Sequence, residues 1–220
     1  MATLLTDSDL DRSTVVANST MNRERSLTGV NSYRRELGFD PAEWLLGRPG
    51  PASWLDLCSG EGLALLLAAD RLLADAVLTG VDLVGPVGHR TSAAGVRLVT
   101  ASLADWSPGR KYDLITCVHG LHYLGDKLGL LAKIADWLVP DGRFTAHFDP
   151  ESVRRPDGGS LARPVLAALR AAGFEYRARR HLLTLDGGRT VRLPFDYLGA
   201  DDTAGPNYTG QPGVASHYRT

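Results

Sequence analysis

The sequence predicts an α/β fold, a doubly wound and mostly parallel sheet of seven strands with an antiparallel C-terminal hairpin, and three observations carry that prediction. From Trp54 to Phe148, short apolar runs ending in acids or small residues alternate with helical patterns or loops. The run Tyr112-Asp113-Leu114-Ile115-Thr116-Cys117-Val118 has the near-continuous apolar character of a strand buried on both faces. Beyond Phe148 the order changes to one helix and then two β-rich runs around Asp186-Gly187-Gly188, the signature of a hairpin at a sheet edge.

The 220 residues suit one domain with a full core. Basic and acidic residues nearly cancel, 24 against 25, so the charge balance points neither to nucleic acid nor to an anionic membrane. Two cysteines make no disulfide framework, no apolar run approaches the roughly 18 to 20 residues of a membrane span, and the N-terminus is wrong for a signal peptide. The expectation is a reduced, cytoplasmic protein.

In chain order, residues 1–23 lack apolar periodicity and read as a flexible arm. Residues 24–50 form a helical preamble: a mixed segment from Glu24 to Leu37, then Asp40 as N-cap with Pro41 at the first helical position. It is expected to pack on the sheet. Trp54 to Leu57 is the first strand, Cys58-Ser59-Gly60-Glu61-Gly62 a tight loop, and Leu63 to Leu67 opens a helix. Such a loop sets unpaired backbone N–H groups at the carboxyl edge of the sheet, where ligands bind. Ala76 to Asp82 is a second strand whose acid lies about 20 residues beyond the loop, the reach of a ribose hydroxyl. Gly and Pro between Leu83 and Gly95 predict an abbreviated connection, Val96 to Thr100 is a third strand and Tyr112 to Val118 a fourth. Asp126 caps a helix ended by Pro140-Asp141-Gly142, and Arg143 to Phe148 is a fifth strand. Ser160 to Ala172 is a helix, and Phe174 to Leu185 with Arg189 to Leu193 make the hairpin. The domain is thus expected over 24–195, with 196–220 a tail without periodicity that covers the site.

The glycine loop does not fit a dinucleotide fingerprint, because Cys58, Gly60 and Leu63 stand at its three glycine positions. With Asp56 inside the strand and Asp82 ending the next, the chain instead resembles the class I S-adenosylmethionine-dependent methyltransferases of small-molecule type. The resemblance continues through Ser102-Leu103, Tyr112-Asp113-Leu114-Ile115, Leu121-His122-Tyr123 and Leu138-Val139-Pro140-Asp141-Gly142-Arg143-Phe144, covering residues 52 to 195. It implies a Rossmann-like sheet and S-adenosylmethionine as cofactor. The amino-acid end of that cofactor is expected over Cys58, Ser59, Gly60 and Gly62, with Asp56 holding loop and ammonium group. Asp82 is expected to accept from the ribose hydroxyls, since a carboxylate takes two donors at once. The adenine is expected between Leu83 and Leu103, beside Ser102 or Asp105, with Val118 facing the cofactor. Cys58 replaces a family glycine, which suits a backbone position free of positive φ; Ser102 replaces the family's Asp.

Methyl transfer is an in-line displacement promoted by alignment and exclusion of water, with a base optional. For a protic acceptor an imidazole suits the proton, and His119 and His122 follow strand four at the acceptor edge. Three positions apart, both face the site only if this stretch turns helically. His119 is the preferred base, His122 a positioning group and Tyr33 a further catalytic candidate. Asn31, Tyr123, Tyr208 and His217 are candidates for the acceptor pocket, with Arg34 or Arg35 able to meet a carboxylate. Arg177, Arg179, Arg180 and His181 read as a charged face that discourages edge pairing. Cys58 and Cys117 are expected to lie close together as free thiols. No metal is expected, and neither nucleic acid nor membrane is an expected partner; the partner is a small-molecule acceptor, or none beyond the cofactor. Two further readings keep the cofactor site: attack on another sulfonium carbon, by cyclisation or aminocarboxypropyl transfer with release of methylthioadenosine, and a non-catalytic scaffold.

Overall fold

The computed structural model describes residues 4–17, 23–86, 93 and 95–220. Seven strands build the main sheet in the order β3-β2-β1-β4-β5-β8-β7. They are β1 (Ser53–Leu57), β2 (Val77–Asp82), β3 (Val96–Thr100), β4 (Tyr112–Cys117), β5 (Leu138–His147), β7 (Glu175–Arg177) and β8 (Leu182–Asp186). The first five are parallel, and β8 pairs antiparallel with both β5 and β7. The strand order reverses between β1 and β4, which opens a crevice at their carboxyl ends.

Both faces of the sheet are covered, and β1 shows why its residues are all buried. Leu55 and Leu57 point into one core with α5 (Lys127–Trp137) and α6 (Ala162–Ala171). Trp54, one position out of phase, joins the opposite core with α2 (Tyr33–Leu37), α3 (Pro41–Leu46) and α4 (Leu63–Ala69). Asp56 shares that second face, and the pleat therefore aims a carboxylate at α2.

The preamble packs as expected, but its first helix is one short piece. Ser32 accepts from Arg35 N and starts α2 only at Tyr33, while Gly38 ends it at φ 82°. Before it, the chain runs along the site rim, held by a bridge between Ser26 and Ser32 and by Glu61 N donating to Arg23 O at 3.0 Å. Asp40 accepts from Ala42 N and Glu43 N to start α3, as its position before Pro41 predicts. The abbreviated connection expected over Leu83 to Gly95 lies partly outside the described residues.

The hairpin falls elsewhere than the sequence suggests. Its arms are β7 and β8, joined through a 3₁₀ turn at Ala178–Arg180, and Arg189 to Leu193 is not a strand. Gly187 and Gly188 turn the chain back onto β5, with Gly188 N donating to Val139 O at 2.8 Å. A Cβ on Gly188 would meet the backbone of Leu138, so close approach rather than a hairpin turn explains that glycine.

The tail also has regular structure. A second sheet has the order β6 (Val153–Arg154), β10 (Ala215–Arg219), β9 (Asp196–Asp201), and Leu5 bridges Ala200 beside α1 (Asp7–Leu10). The fully buried Lys127 fastens this sheet to the main domain, its Nζ donating to Leu124 O, Val214 O and Ser216 Oγ at 2.7–2.8 Å. Tyr218 adds a bond to Asp126 and accepts one from Leu128 N. Among the described residues, no helix is long and apolar enough to cross a membrane.

Candidate active site

A cavity of about 530 Å³ opens at the carboxyl ends of β1, β2, β3 and β4. Its donor side begins with the loop after β1. Cys58, Gly60 and Gly62 all take positive φ, at 55°, 59° and 71°. The left-handed turn at Cys58 departs from the expected ordinary φ, and it costs a non-glycine residue on the order of 1 kcal/mol. The two glycines need their missing Cβ: at Gly60 it would lie 2.5 Å from Arg23 O, and at Gly62 2.5 Å from a Leu98 methyl. Gly62 then caps α4 in a left-handed conformation, with no side-chain bond to the first N–H groups of the helix.

Asp82 closes this side. Its Oδ2 accepts from Gly60 N at 2.9 Å and its Oδ1 from Val84 N at 3.0 Å, so one carboxylate ties the ends of β1 and β2 together. Arg23 lies over it, 3.3 Å from Asp82 and 3.5 Å from Glu61, and also donates to the Val84 carbonyl. Ser59, Leu83, Val84, Ala101, Ser102, Leu103 and Val118 continue the wall. Ser102 uses its Oγ to accept from Ala104 N.

Asp56 is placed differently from the expectation that it holds the loop. It is fully buried, lines no part of the cavity, and accepts from Tyr33 OH and Thr116 Oγ1, both at 2.6 Å. Burial pushes its carboxyl up to about 7 against the pull of those two donors. Tyr33, pressed edge-on against Trp54, carries that contact to the cavity wall, and burial raises its phenol well above the usual range. Cys58 and Cys117 are both free and meet as a hydrogen-bonded thiol pair, which raises the Cys58 thiol. A Cβ on Gly120 would collide with both, so this glycine lets the loop after β4 cross them.

The acceptor side is a cluster of rings. His119 has φ 61° and starts a 3₁₀ turn over Gly120–Tyr123, and this helical turn brings both His119 and His122 to the cavity, with Tyr123. His119 stacks on His147 with centroids 3.9 Å apart and planes 8° from parallel. Their Nε2 atoms lie 3.3 and 3.4 Å from the same oxygen of Glu36. The other Glu36 oxygen accepts from Arg25 at 2.8 Å, and Arg25 also binds Asn31 Oδ1. The bond with His119 holds the Glu36 carboxyl down at about 2, and burial holds His147 and His122 down at about 3. His122 is buried with neither ring nitrogen hydrogen-bonded.

Tyr208 stands edge-on to His122 at 5.1 Å and stacks on His181 at 3.7 Å. Thr209 and Gln211 from the tail, with Asp11, Val16, Arg23 and Arg25 from the N-terminal segment, complete the lining. Asn31 lies one contact behind Arg25. His217 is in β10, bonded to the Arg155 carbonyl and away from the cavity lining. Arg180 is no simple charged face: it donates to the Arg35 and Glu36 carbonyls and ends α2.

Glu36, His147 and Arg25 were not singled out by the sequence. His147 ends β5, at the same sheet edge as His119, and Glu36 is one helical turn after Tyr33; those two positions were the available signals.

The cofactor that the resemblance implies fits this donor side. Cys58, Ser59 and Gly60 present the loop to the cavity, and Asp82 retains an acceptor site on Oδ2, with a second wherever Arg23 releases Oδ1.

Comparisons with known proteins agree with this geometry. The methyltransferase domain family matches residues 30–179. Trans-aconitate 2-methyltransferase of Acidovorax sp. (strain JS42) is 31% identical over 121 residues, which cover 53% of this chain and 46% of the relative. Nocamycin O-methyltransferase of Saccharothrix syringae is 30% identical over 117 residues, covering 49% and 41%. The chain spans about half the length of the curated relatives it matches. The crystal structure of magnesium protoporphyrin IX methyltransferase from Synechocystis PCC 6803 with bound S-adenosylmethionine superposes with a TM-score of 0.51 at 17% identity, covering 80% of this chain and 90% of that one. That likeness concerns the fold, whereas the family match spans more than half of the sequence: the chain belongs to the methyltransferase domain family, on a class I sheet.

Proposed function

We propose that the chain transfers a methyl group from S-adenosylmethionine to a protic small-molecule acceptor in the cytoplasm, in a biosynthetic setting. The observation that carries this reading is one cavity with two unlike walls: the Asp82–Gly60 cradle on one side and, on the other, His119 backed by Glu36, which stands outside the lining. When bound, the cofactor supplies an electrophilic methyl group. Asp82 holds the ribose hydroxyls, Leu83 and Leu103 flank the adenine with Ser102 beside it, and the amino-acid end lies against the loop from Cys58 to Gly60. Asp56 acts one step back, fixing Tyr33 at the junction of the two walls.

The acceptor enters against His119, His122 and Tyr123, with Tyr208 outside the lining and packed edge-on against His122. Its proton is lost at the Glu36–His119 pair, where an ionised carboxylate stands beside an imidazole. Arg23, Thr209 and Gln211 come from chain segments outside the main sheet, and their closure excludes water from the methyl path.

Mass spectrometry of products after incubation with S-adenosylmethionine and fractionated metabolites tests the reading. S-adenosylhomocysteine, formed together with a metabolite heavier by one methylene, is the expected result. Methylthioadenosine as the product would overturn it in favour of attack on another sulfonium carbon.

A further inference from the structure

We propose that Glu36, His119 and His147 form a binding site for a divalent first-row transition-metal ion at the acceptor wall. Three chain segments converge there: α2, the loop after β4 and the last residue of β5. One carboxylate oxygen lies 3.3 Å from His119 Nε2 and 3.4 Å from His147 Nε2, and the three ligand atoms all fall within 4.8 Å of one another. Ligands that each lie about 2.0–2.2 Å from one ion are separated by roughly 3.0–3.5 Å, so both carboxylate–imidazole distances match a shared ion.

The donor set selects the ion. Two imidazoles and a carboxylate suit zinc, iron, cobalt or nickel, whereas magnesium and calcium favour shells of oxygen alone. The second carboxylate oxygen is taken by Arg25, which fixes the orientation of Glu36 from behind and leaves one oxygen for the ion. The two rings are stacked nearly parallel, so loading turns each about its Cβ–Cγ bond until its lone pair meets the ion. Three protein ligands leave coordination positions open toward the cavity that His119 lines.

The consequence for catalysis rests on the methyltransferase reading. An acceptor oxygen that binds the ion releases its proton to water at neutral pH, because a bound divalent ion lowers the pKa of a coordinated hydroxyl. That oxygen's electron pair forms the bond to the methyl carbon, the carbon–sulfur bond breaks, and its pair stays on sulfur. The proton-accepting role of the Glu36–His119 pair thus belongs to the metal-free chain; with the ion bound, the same two residues act as ligands that orient and ionise the acceptor.

The test uses the full chain without a polyhistidine tag, stripped with a chelator and titrated with cobalt(II). The expected result is saturation at one ion per chain with ligand-field absorption bands, displaced by zinc. Glu36→Gln and His147→Gln should each weaken binding at least tenfold and lose the bands, while His217→Gln, outside the cluster, keeps both. Circular dichroism of each variant reports folding, and Glu36→Asp, which keeps the carboxylate, should recover part of the affinity. Adding acetohydroxamate, an oxygen chelator, should shift the cobalt bands through the open positions. Absence of saturable binding, or equal binding by wild type, Glu36→Gln and His147→Gln, would overturn the site. Bands that ignore acetohydroxamate would overturn its role toward the acceptor. Calorimetry with S-adenosylmethionine on the metal-free chain reads the methyltransferase proposal separately, so either can fail alone.

Discussion

The two walls of the cavity are built by different means. The donor wall is built from short loops at the strand ends: the positive-φ residues Cys58 and Gly60, the Asp82 carboxylate and the segments from Leu83 and from Ala101, all between Cys58 and Leu103. The acceptor wall is made of side chains, Arg25, His119 and His122 at the cavity and Glu36, His147 and Tyr208 packed against them from outside its lining. A backbone cradle binds a constant ligand with little dependence on distant contacts. A side-chain cluster is adjustable but exists only while the elements that carry it stay docked. The comparison therefore predicts that lesions in the donor wall erase cofactor binding, and that lesions in the acceptor wall leave it intact.

The sharpest contrast is expected at Asp82. Asp82→Ala removes the acceptor of Gly60 N and Val84 N together with the carboxylate proposed to hold the ribose hydroxyls. Losing two charge-assisted bonds of about 1.5–3 kcal/mol each lowers affinity for S-adenosylmethionine by roughly 10²- to 10⁴-fold. Calorimetry measures this, and a loss below tenfold would break the assignment of the donor wall.

Asp56 tests the junction between the walls. Burial holds this carboxyl at about 7, above the ordinary aspartate value of 3.8, so its contribution to stability is fully present below about pH 4 and is lost as pH rises through about 7. Chemical denaturation of Asp56→Asn across that window should show a flatter pH profile than wild type, by on the order of a few kcal/mol. A parallel profile would mean that the carboxylate is ionised at no cost.

Lys127 tests the dependence of the acceptor wall on the tail. Lys127→Met leaves Leu124 O, Val214 O and Ser216 Oγ without their buried donor and should destabilise the chain by about 2–4 kcal/mol. Limited proteolysis should then cut between β9 and β10 first. Equal cutting rates in variant and wild type would show that the tail is fastened by β-pairing alone.

The smallest effect is expected at Tyr208. Tyr208→Ala removes the ring that stacks on His181 and meets His122 edge-on, and should raise the acceptor KM about tenfold, with the S-adenosylmethionine Kd unchanged. A changed cofactor affinity would merge the two walls into one.

Legibility in the sequence follows the same division. The loop Cys58 to Gly62, Asp82 and the Leu103 region are read within short segments, because phosphate-like and ribose cradles at a sheet edge are spelled by glycines and strand-terminal acids. His119 and His122 were legible by their place after β4, and the 3₁₀ turn over Gly120–Tyr123 turned both toward one cavity. Asp56 was read as a loop holder, yet the pleat of β1 sends it toward Tyr33. The hairpin turn was assigned to Gly187-Gly188, whose glycines serve a close backbone approach, while the actual turn at Ala178–Arg180 holds no glycine. The tail showed no periodicity, because strands as short as β9 and β10 are stabilised mainly by partners far away in the chain.

By itself the sequence determined the five strands of the parallel part and the loop between β1 and α4, since local patterns of apolar runs, glycines and acids carry the geometry of those parts. Only the tertiary structure decided that Glu36 and His147 meet at His119 and that the tail closes beside them. Those contacts span 83 and 28 positions along the chain, and no local propensity encodes the pairing of side chains brought together by packing across a sheet edge.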